Sequence, residues 1–135
     1  MQSITLPVVS GLTAGILIAI QMVLMIGVIF SRRKNRQSLS DGSNPSLLRA
    51  MRRHGNFAEN AAIFIAGLTL LELMGASRRE VEVIAAIFVV GRLSHAIGLS
   101  LPKTVNSFRT LGATATIFTG FTLGVRLVSM ALPLI

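Results

Sequence analysis

Four long apolar stretches alternate with short polar ones along the chain. The first runs from Ile4 to Phe30 with no charged side chain, an early Pro7 and the polar Gln21. Roughly 20 apolar residues cross a hydrocarbon core of about 30 Å, so this run is long enough to span. No basic segment precedes it and it exceeds the apolar core of a signal peptide; its basic residues follow it, as in a stop-transfer segment. Residues 31–45, SRRKNRQSLSDGSNP, are polar, basic and rich in Ser, Gly and Asn. This predicts a loop, with Asn44-Pro45 turning into the next helix. That helix is predicted over about residues 47–74. Its strictly apolar part, Ala61 to Leu71, is too short to cross alone, so the crossing has to be counted from about Arg52. The polar stretch MRRHGNFAEN, residues 51–60, therefore lies inside the helix near one membrane face. A turn, GASRRE, occupies 75–80. The third span covers about 81–99, interrupted by Arg92 and His95 and closed by Pro102; the fourth covers about 106–132, with Arg109 in its first turn and Arg126 deeper.

The predicted fold class is an all-α membrane protein, a four-transmembrane-helix bundle forming a single membrane domain over residues 1–135. A soluble bundle would need a polar stripe on every helix, and the first span has almost none. No internal repeat supports a solenoid. Gly11-x-x-x-Gly15 and Gly120-x-x-x-Gly124 have the spacing that lets membrane helices approach closely.

Composition sharpens this picture. The chain is 52% hydrophobic and only 13% charged, with a mean hydropathy of +0.72, whereas soluble domains carry about 25% charged residues. The absence of cysteine excludes disulfides, thiol nucleophiles and thiolate metal sites. Two histidines, His54 and His95, fall short of the three ligands usual for catalytic zinc, so no metal is expected. The chain has no tryptophan or tyrosine. Phe30, Phe57, Phe64 and Phe108 are left to fill part of the interfacial role, and no phenol exists for proton or thiolate chemistry.

The formal charge of +8 matters less than its distribution. Arg32, Arg33, Lys34, Arg36, Arg49, Arg52, Arg53, Lys103 and Arg109 belong to the loops and helix ends on one side; only Arg78 and Arg79 lie on the other. The positive-inside rule then puts the first and third loops in the cytoplasm and both termini outside. No nucleic-acid partner is expected. Arg49, Arg53 and the RRK run read as lipid-facing topogenic charges.

Arg52, Asn56 and Glu59 are spaced by four and then three residues and share a helix face. Arg92 and His95 share one on the third span, and Arg109 opens the fourth. The alternating direction of the spans brings all six to the cytoplasmic third of the bundle, with Arg92 deepest, roughly 10 Å from the end of its helix. Ionisable residues at such depth are costly and generally face an interior or wet cavity. Three arginines and one glutamate suit an anionic ligand, with Glu59 able to pair an arginine or take an ammonium group, and Asn56 able to donate and accept. Structural alternatives stand beside this: a Glu59–Arg92 interhelical pair, Arg52 as another surface anchor, His95 as a satisfied helix contact. Arg126 reads as structural, pairing with Glu72 or Glu82. A transporter or proton relay through Glu59, Arg92 and His95 is a further alternative, although the outer half of the spans offers no matching polar path.

The motifs LLRAMRRHGNFAENAAIF, GRLSHAIGL and NSFRTLGA, in that order, resemble the MAPEG family, membrane-associated proteins of eicosanoid and glutathione metabolism, and most closely its small bacterial inner-membrane branch. The matching elements are Arg52-x-His54-x-Asn56-x-x-Glu59, Arg92-x-x-His95 and Arg109. The resemblance implies a homotrimer with glutathione bound between neighbouring protomers near the cytoplasmic face. It assigns Arg52, Asn56, Glu59, Arg92, His95 and Arg109 to the glutathione-contacting set, His54 to a supporting role and Arg109 to stabilising the glutathione thiolate. The implied activity is transfer of glutathione to an apolar, membrane-soluble electrophile, or reduction of a lipid hydroperoxide. The sequence departs from the family where members often have tyrosines, around Ile97 to Leu99 and at Ala113, and at Gly55, where some have arginine. A non-catalytic binding or structural protein on the same scaffold is the alternative. Members also use an arginine at the end of the first helix, a place that Arg32 or Arg33 would fill.

Overall fold

A computed structural model describes residues 6–103 and 105–135. The chain forms four helices, α1 (Val8–Asn35), α2 (Pro45–Leu73), α3 (Arg78–Ser100) and α4 (Ser107–Ala131), and a terminal 3-10 turn, Leu132–Leu134. Each long helix, with α4 continued through that turn, is long and apolar enough to cross a membrane. The expected start of the first span at Ile4 lies outside the described residues.

The basic loop is shorter than expected because α1 continues through Ser31-Arg32-Arg33-Lys34-Asn35. Cations in a final turn interact favourably with the helix carbonyl end. Arg36 then stops the helix in the left-handed conformation, with φ 52°. Its N–H bonds the Arg33 carbonyl and that of Gln37 the Arg32 carbonyl, which satisfies carbonyls that the helix end leaves free. Arg32 folds back and donates from Nη1 to the Ser38 and Ser40 carbonyls, both at 3.1 Å, ordering the loop. Asn44 caps α2 by accepting from Ser46 and Leu47 N–H, with Pro45 in the first turn, where its missing N–H costs nothing. At α4, Asn106 accepts from Arg109 N–H at 3.0 Å while its amide donates to the Gly98 and Lys103 carbonyls, tying the start of α4 to the end of α3.

At the opposite end, α1 has no capping side chain of its own. Glu72, buried near the end of α2, supplies one: it accepts from Val9 N–H at 3.0 Å, Ser10 N–H at 2.8 Å and Ser10 Oγ at 2.6 Å. A carboxylate on the positive end of a helix satisfies both the orphan donors and the dipole. This corrects the expected partner of Arg126. Glu72 is committed to α1 and Glu82 to Arg78 one turn away at 2.8 Å, so Arg126 pairs with Glu80 in the first turn of α3.

The core holds Leu17, Phe57, Phe64, Leu68, Leu71, Val81, Phe88 and Leu123, with the Phe64 and Phe88 rings stacked at 3.5 Å. Phe57 and Phe64 are thus core residues, while Phe30 and Phe108 are exposed. The closest helix pair is α3–α4. Here the glycines that matter are Gly91, Gly98 and Gly112. A methyl at Gly112 would lie 2.5 Å from the Gly91 carbonyl oxygen and the His95 nitrogen, and one at Gly98 2.5 Å from the Arg109 nitrogen. Gly11, Gly15, Gly120 and Gly124 face open space within the chain, so neither G-x-x-x-G spacing marks an internal contact. Large apolar side chains on α1 and α4, such as Leu12, Val23, Phe118 and Phe121, are exposed. A patch of that extent is unfavourable in water and compatible with hydrocarbon.

Candidate functional site

A cavity of about 680 Å³ opens at the end of the bundle that carries the two basic loops. From α2 it is lined by Arg49, Arg52, Gly55, Asn56 and Glu59, from α3 by His95 and Leu99, and from α4 by Arg109. The four-three spacing of Arg52, Asn56 and Glu59 keeps them on one wall. The antiparallel return of α3 and the α3–α4 contact at Gly98 and Gly112 bring His95 and Arg109 to the other. Five of the six residues expected at the site line it.

Arg92, the sixth, stands behind the wall. It is 2% exposed. Its Nη2 donates to the Asn56 carbonyl at 2.9 Å and to Asn56 Oδ1 at 2.8 Å. Its Nη1 donates to Thr116 Oγ1 at 3.3 Å. The guanidinium also lies 5.5 Å from the Phe57 ring centre, within range of a cation–π contact. The Glu59–Arg92 pair that the sequence allowed is therefore not formed; Arg92 is held by neutral acceptors, and Glu59 stays exposed on the cavity wall.

This arrangement orients Asn56. Arginine only donates, so the amide oxygen must face Arg92 and the amide N–H2 must face the other way. Asn56 contributes donors to the cavity for that reason. Asn60 Nδ2, one turn on, also donates to the Asn56 carbonyl at 2.8 Å. His95 is buried on the backbone of Gly112, and its Nδ1 has no hydrogen-bond partner, which makes it a second polar atom that the protein leaves unpaired beside the cavity. His54, half-buried, does not line the cavity.

Two arginines depart from the topogenic role expected of them. Arg49 lines the cavity. Its signal is in the sequence, three residues before Arg52 on the same face, but counting charges by side obscures it. Arg53 is more than a topogenic surface charge; it is half-buried, with Nη1 donating to Ser100 Oγ at 2.5 Å across to α3. Of the two arginines ending the first span, Arg32 reaches toward the site, its Nη2 lying 3.6 Å from the sulfur of Met51 on the cavity wall, whereas Arg33 is exposed. Among the described residues, no cluster of three metal-binding side chains exists.

The fold and cavity define an integral membrane helical bundle with a polar, predominantly cationic site at one end. The chain matches the model of the MAPEG family over residues 10–129, and it belongs to that family. It is thus a membrane protein of the glutathione and eicosanoid metabolism class. Comparison with curated proteins finds no match.

Proposed function

We propose that the protein is a glutathione-dependent membrane transferase or peroxidase, working as a homotrimer in a bacterial inner membrane with the basic end in the cytoplasm. One observation supports this above the others: a cavity lined by Arg49, Arg52, Arg109, His95 and the Asn56 amide holds, among the described residues, a single carboxylate, Glu59. Glutathione has two carboxylates, one ammonium and a thiol, and this donor set matches it. Arginines take the carboxylates, Glu59 the ammonium, and Arg92 and His54 act by supporting the α2 wall. Arg109 is the catalytic residue. A free thiol has a pKa near 8.5, so a cation that stabilises the anion by about 2.7 kcal/mol lowers it by two units and makes the thiolate prevalent at pH 7. The thiol proton passes to water. The thiolate attacks an apolar electrophile arriving from the lipid, forming the carbon–sulfur bond as the leaving group departs. Arg52 and Glu59 are exposed. Charged groups so placed on a membrane-spanning helix favour coverage by a neighbouring protomer.

The test is glutathione binding to purified trimer by calorimetry and by the ultraviolet absorbance of the thiolate. Binding that Arg52→Ala weakens, and absorbance that Arg109→Ala abolishes, is expected. A folded trimer that ignores millimolar glutathione would falsify the proposal. The lack of any tyrosine favours a second reading, a glutathione- or lipid-binding protein without catalysis. It predicts binding with no thiolate absorbance.

A further inference from the structure

Arg53 occupies a place that the glutathione site does not use. It leaves α2 on the side away from the cavity and passes between α1 and α3. Its Nη2 lies 3.5 Å from where a side chain on Gly27 would begin, and its Nη1 donates to Ser100 Oγ. Beside it, between α1 and α3, is a groove of about 390 Å³ whose lining includes Ala19, Val23, Leu24, Ala96 and Ile97. Arg53 and Ser100 are the polar residues of that lining, at its basic end. Ser100 is the last residue of α3, so the guanidinium sits at the level where this helix leaves the apolar layer.

The guanidinium is under-used. Of its five N–H donors, one is hydrogen-bonded, and it has no carboxylate partner among the described residues. Its Nε is buried and unpartnered. A buried cationic donor left unpaired is costly, and lysine or arginine within a span normally finds a counter-charge. The spare N–H donors of a guanidinium match the oxygens of an anion. The groove offers only apolar surface below it. From Leu93 to Ser100 the wall extends about 10 Å along α3, enough for part of an acyl chain.

We infer that Arg53 and the α1–α3 groove form a binding site for an anionic phospholipid, with one acyl chain in the groove and the phosphate on the Arg53 guanidinium. The membrane supplies such a lipid at the depth of Arg53, and the surplus of basic residues at that end attracts it. This inference does not depend on the glutathione reading, because the two sites lie on different faces of α2 and share no lining residue.

The full-length protein is delipidated in detergent and titrated with phosphatidylglycerol or phosphatidylcholine, following bound lipid by native mass spectrometry and stability by thermal unfolding. Phosphatidylglycerol is expected to bind about tenfold more tightly and to raise the unfolding midpoint, as one charge-assisted contact would give. Arg53→Gln should remove that preference and leave glutathione binding unchanged. Val23→Trp, which fills the groove and keeps Arg53, should remove it as well, and it covers the case in which Arg53→Gln does not fold. A preference that survives Val23→Trp means surface attraction only and overturns the site, as does equal binding of the two lipids or saturation by oleate alone. The chain lacks cysteine, so a Val23→Cys thiol reports the occupant directly. Protection from alkylation by phosphatidylglycerol supports the site; protection without lipid means that a second copy covers the groove and overturns it.

Discussion

Asn56→Asp separates the structural and ligand-binding duties of the α2 wall. In the native protein, Asn56 Oδ1 accepts from Arg92 Nη2 at 2.8 Å, and the amide N–H2 is left for the cavity. An aspartate keeps the acceptor and gives Arg92, 2% exposed and held by neutral oxygens, its first carboxylate partner. Replacing a neutral acceptor by a charged one gains about 1 kcal/mol, partly offset by the desolvation of the new carboxylate. The unfolding midpoint should therefore stay or rise slightly. The ligand side changes in the opposite sense. Under the proposed function, the donor is lost and a negative oxygen faces the carboxylates of glutathione. Loss of one hydrogen bond to a charged group is worth roughly 1.5–3 kcal/mol, which is a 10- to 150-fold rise in Kd. Calorimetric titration and thermal unfolding of the variant in detergent measure both effects. An unchanged Kd would show that the Asn56 amide does not face the ligand. A large fall in midpoint would show that Arg92 does not present its donors to Oδ1 as described.

Four other outcomes are expected. Arg92→Lys keeps the charge but cannot reach Asn56 and Thr116 together, so glutathione affinity should fall about tenfold with the fold retained, as binding and far-ultraviolet dichroism will show. Glu72→Ala removes three hydrogen bonds from the start of α1. It should destabilise by about 3 kcal/mol or more, lowering the unfolding midpoint while leaving glutathione affinity alone, since Glu72 is at the other end of the bundle. Gly112→Ala forces α3 and α4 apart at His95, at a cost of about 1–3 kcal/mol, and should lower both stability and glutathione binding. Gly11→Ala, facing open space, should be neutral by the same two assays.

Much of the site is legible without coordinates because membrane helices restrict the possibilities. Apolar runs long enough to span determine four parallel or antiparallel rods, and the turn lengths make neighbours antiparallel. The three- and four-residue spacing on the second span and the position of Arg109 in the first turn of the fourth then have to fall at one end. The end of α1 is misjudged from sequence because a basic run reads as a loop. The helix dipole favours those cations in its last turn, and the left-handed Arg36 ends the helix only after them. The G-x-x-x-G spacings mislead because spacing says nothing about which face meets a neighbour. The glycines of the α3–α4 contact carry no such spacing, and only the crossing of the two helices selects them.

The sequence by itself determined the number of spans, the basic end, the polar face Arg52–Asn56–Glu59 and its convergence with His95 and Arg109, because periodicity and chain direction are local properties. Only the tertiary structure decided who pairs with whom. Arg92 takes Asn56 rather than Glu59, Arg126 takes Glu80 rather than Glu72 or Glu82, and Glu72 caps a helix that begins more than sixty residues earlier. Arg53 turns inward between α1 and α3 instead of outward. Each of these choices depends on side-chain reach across a helix–helix contact, whose rotation and depth are set by the packing of all four helices together and not by any one of them.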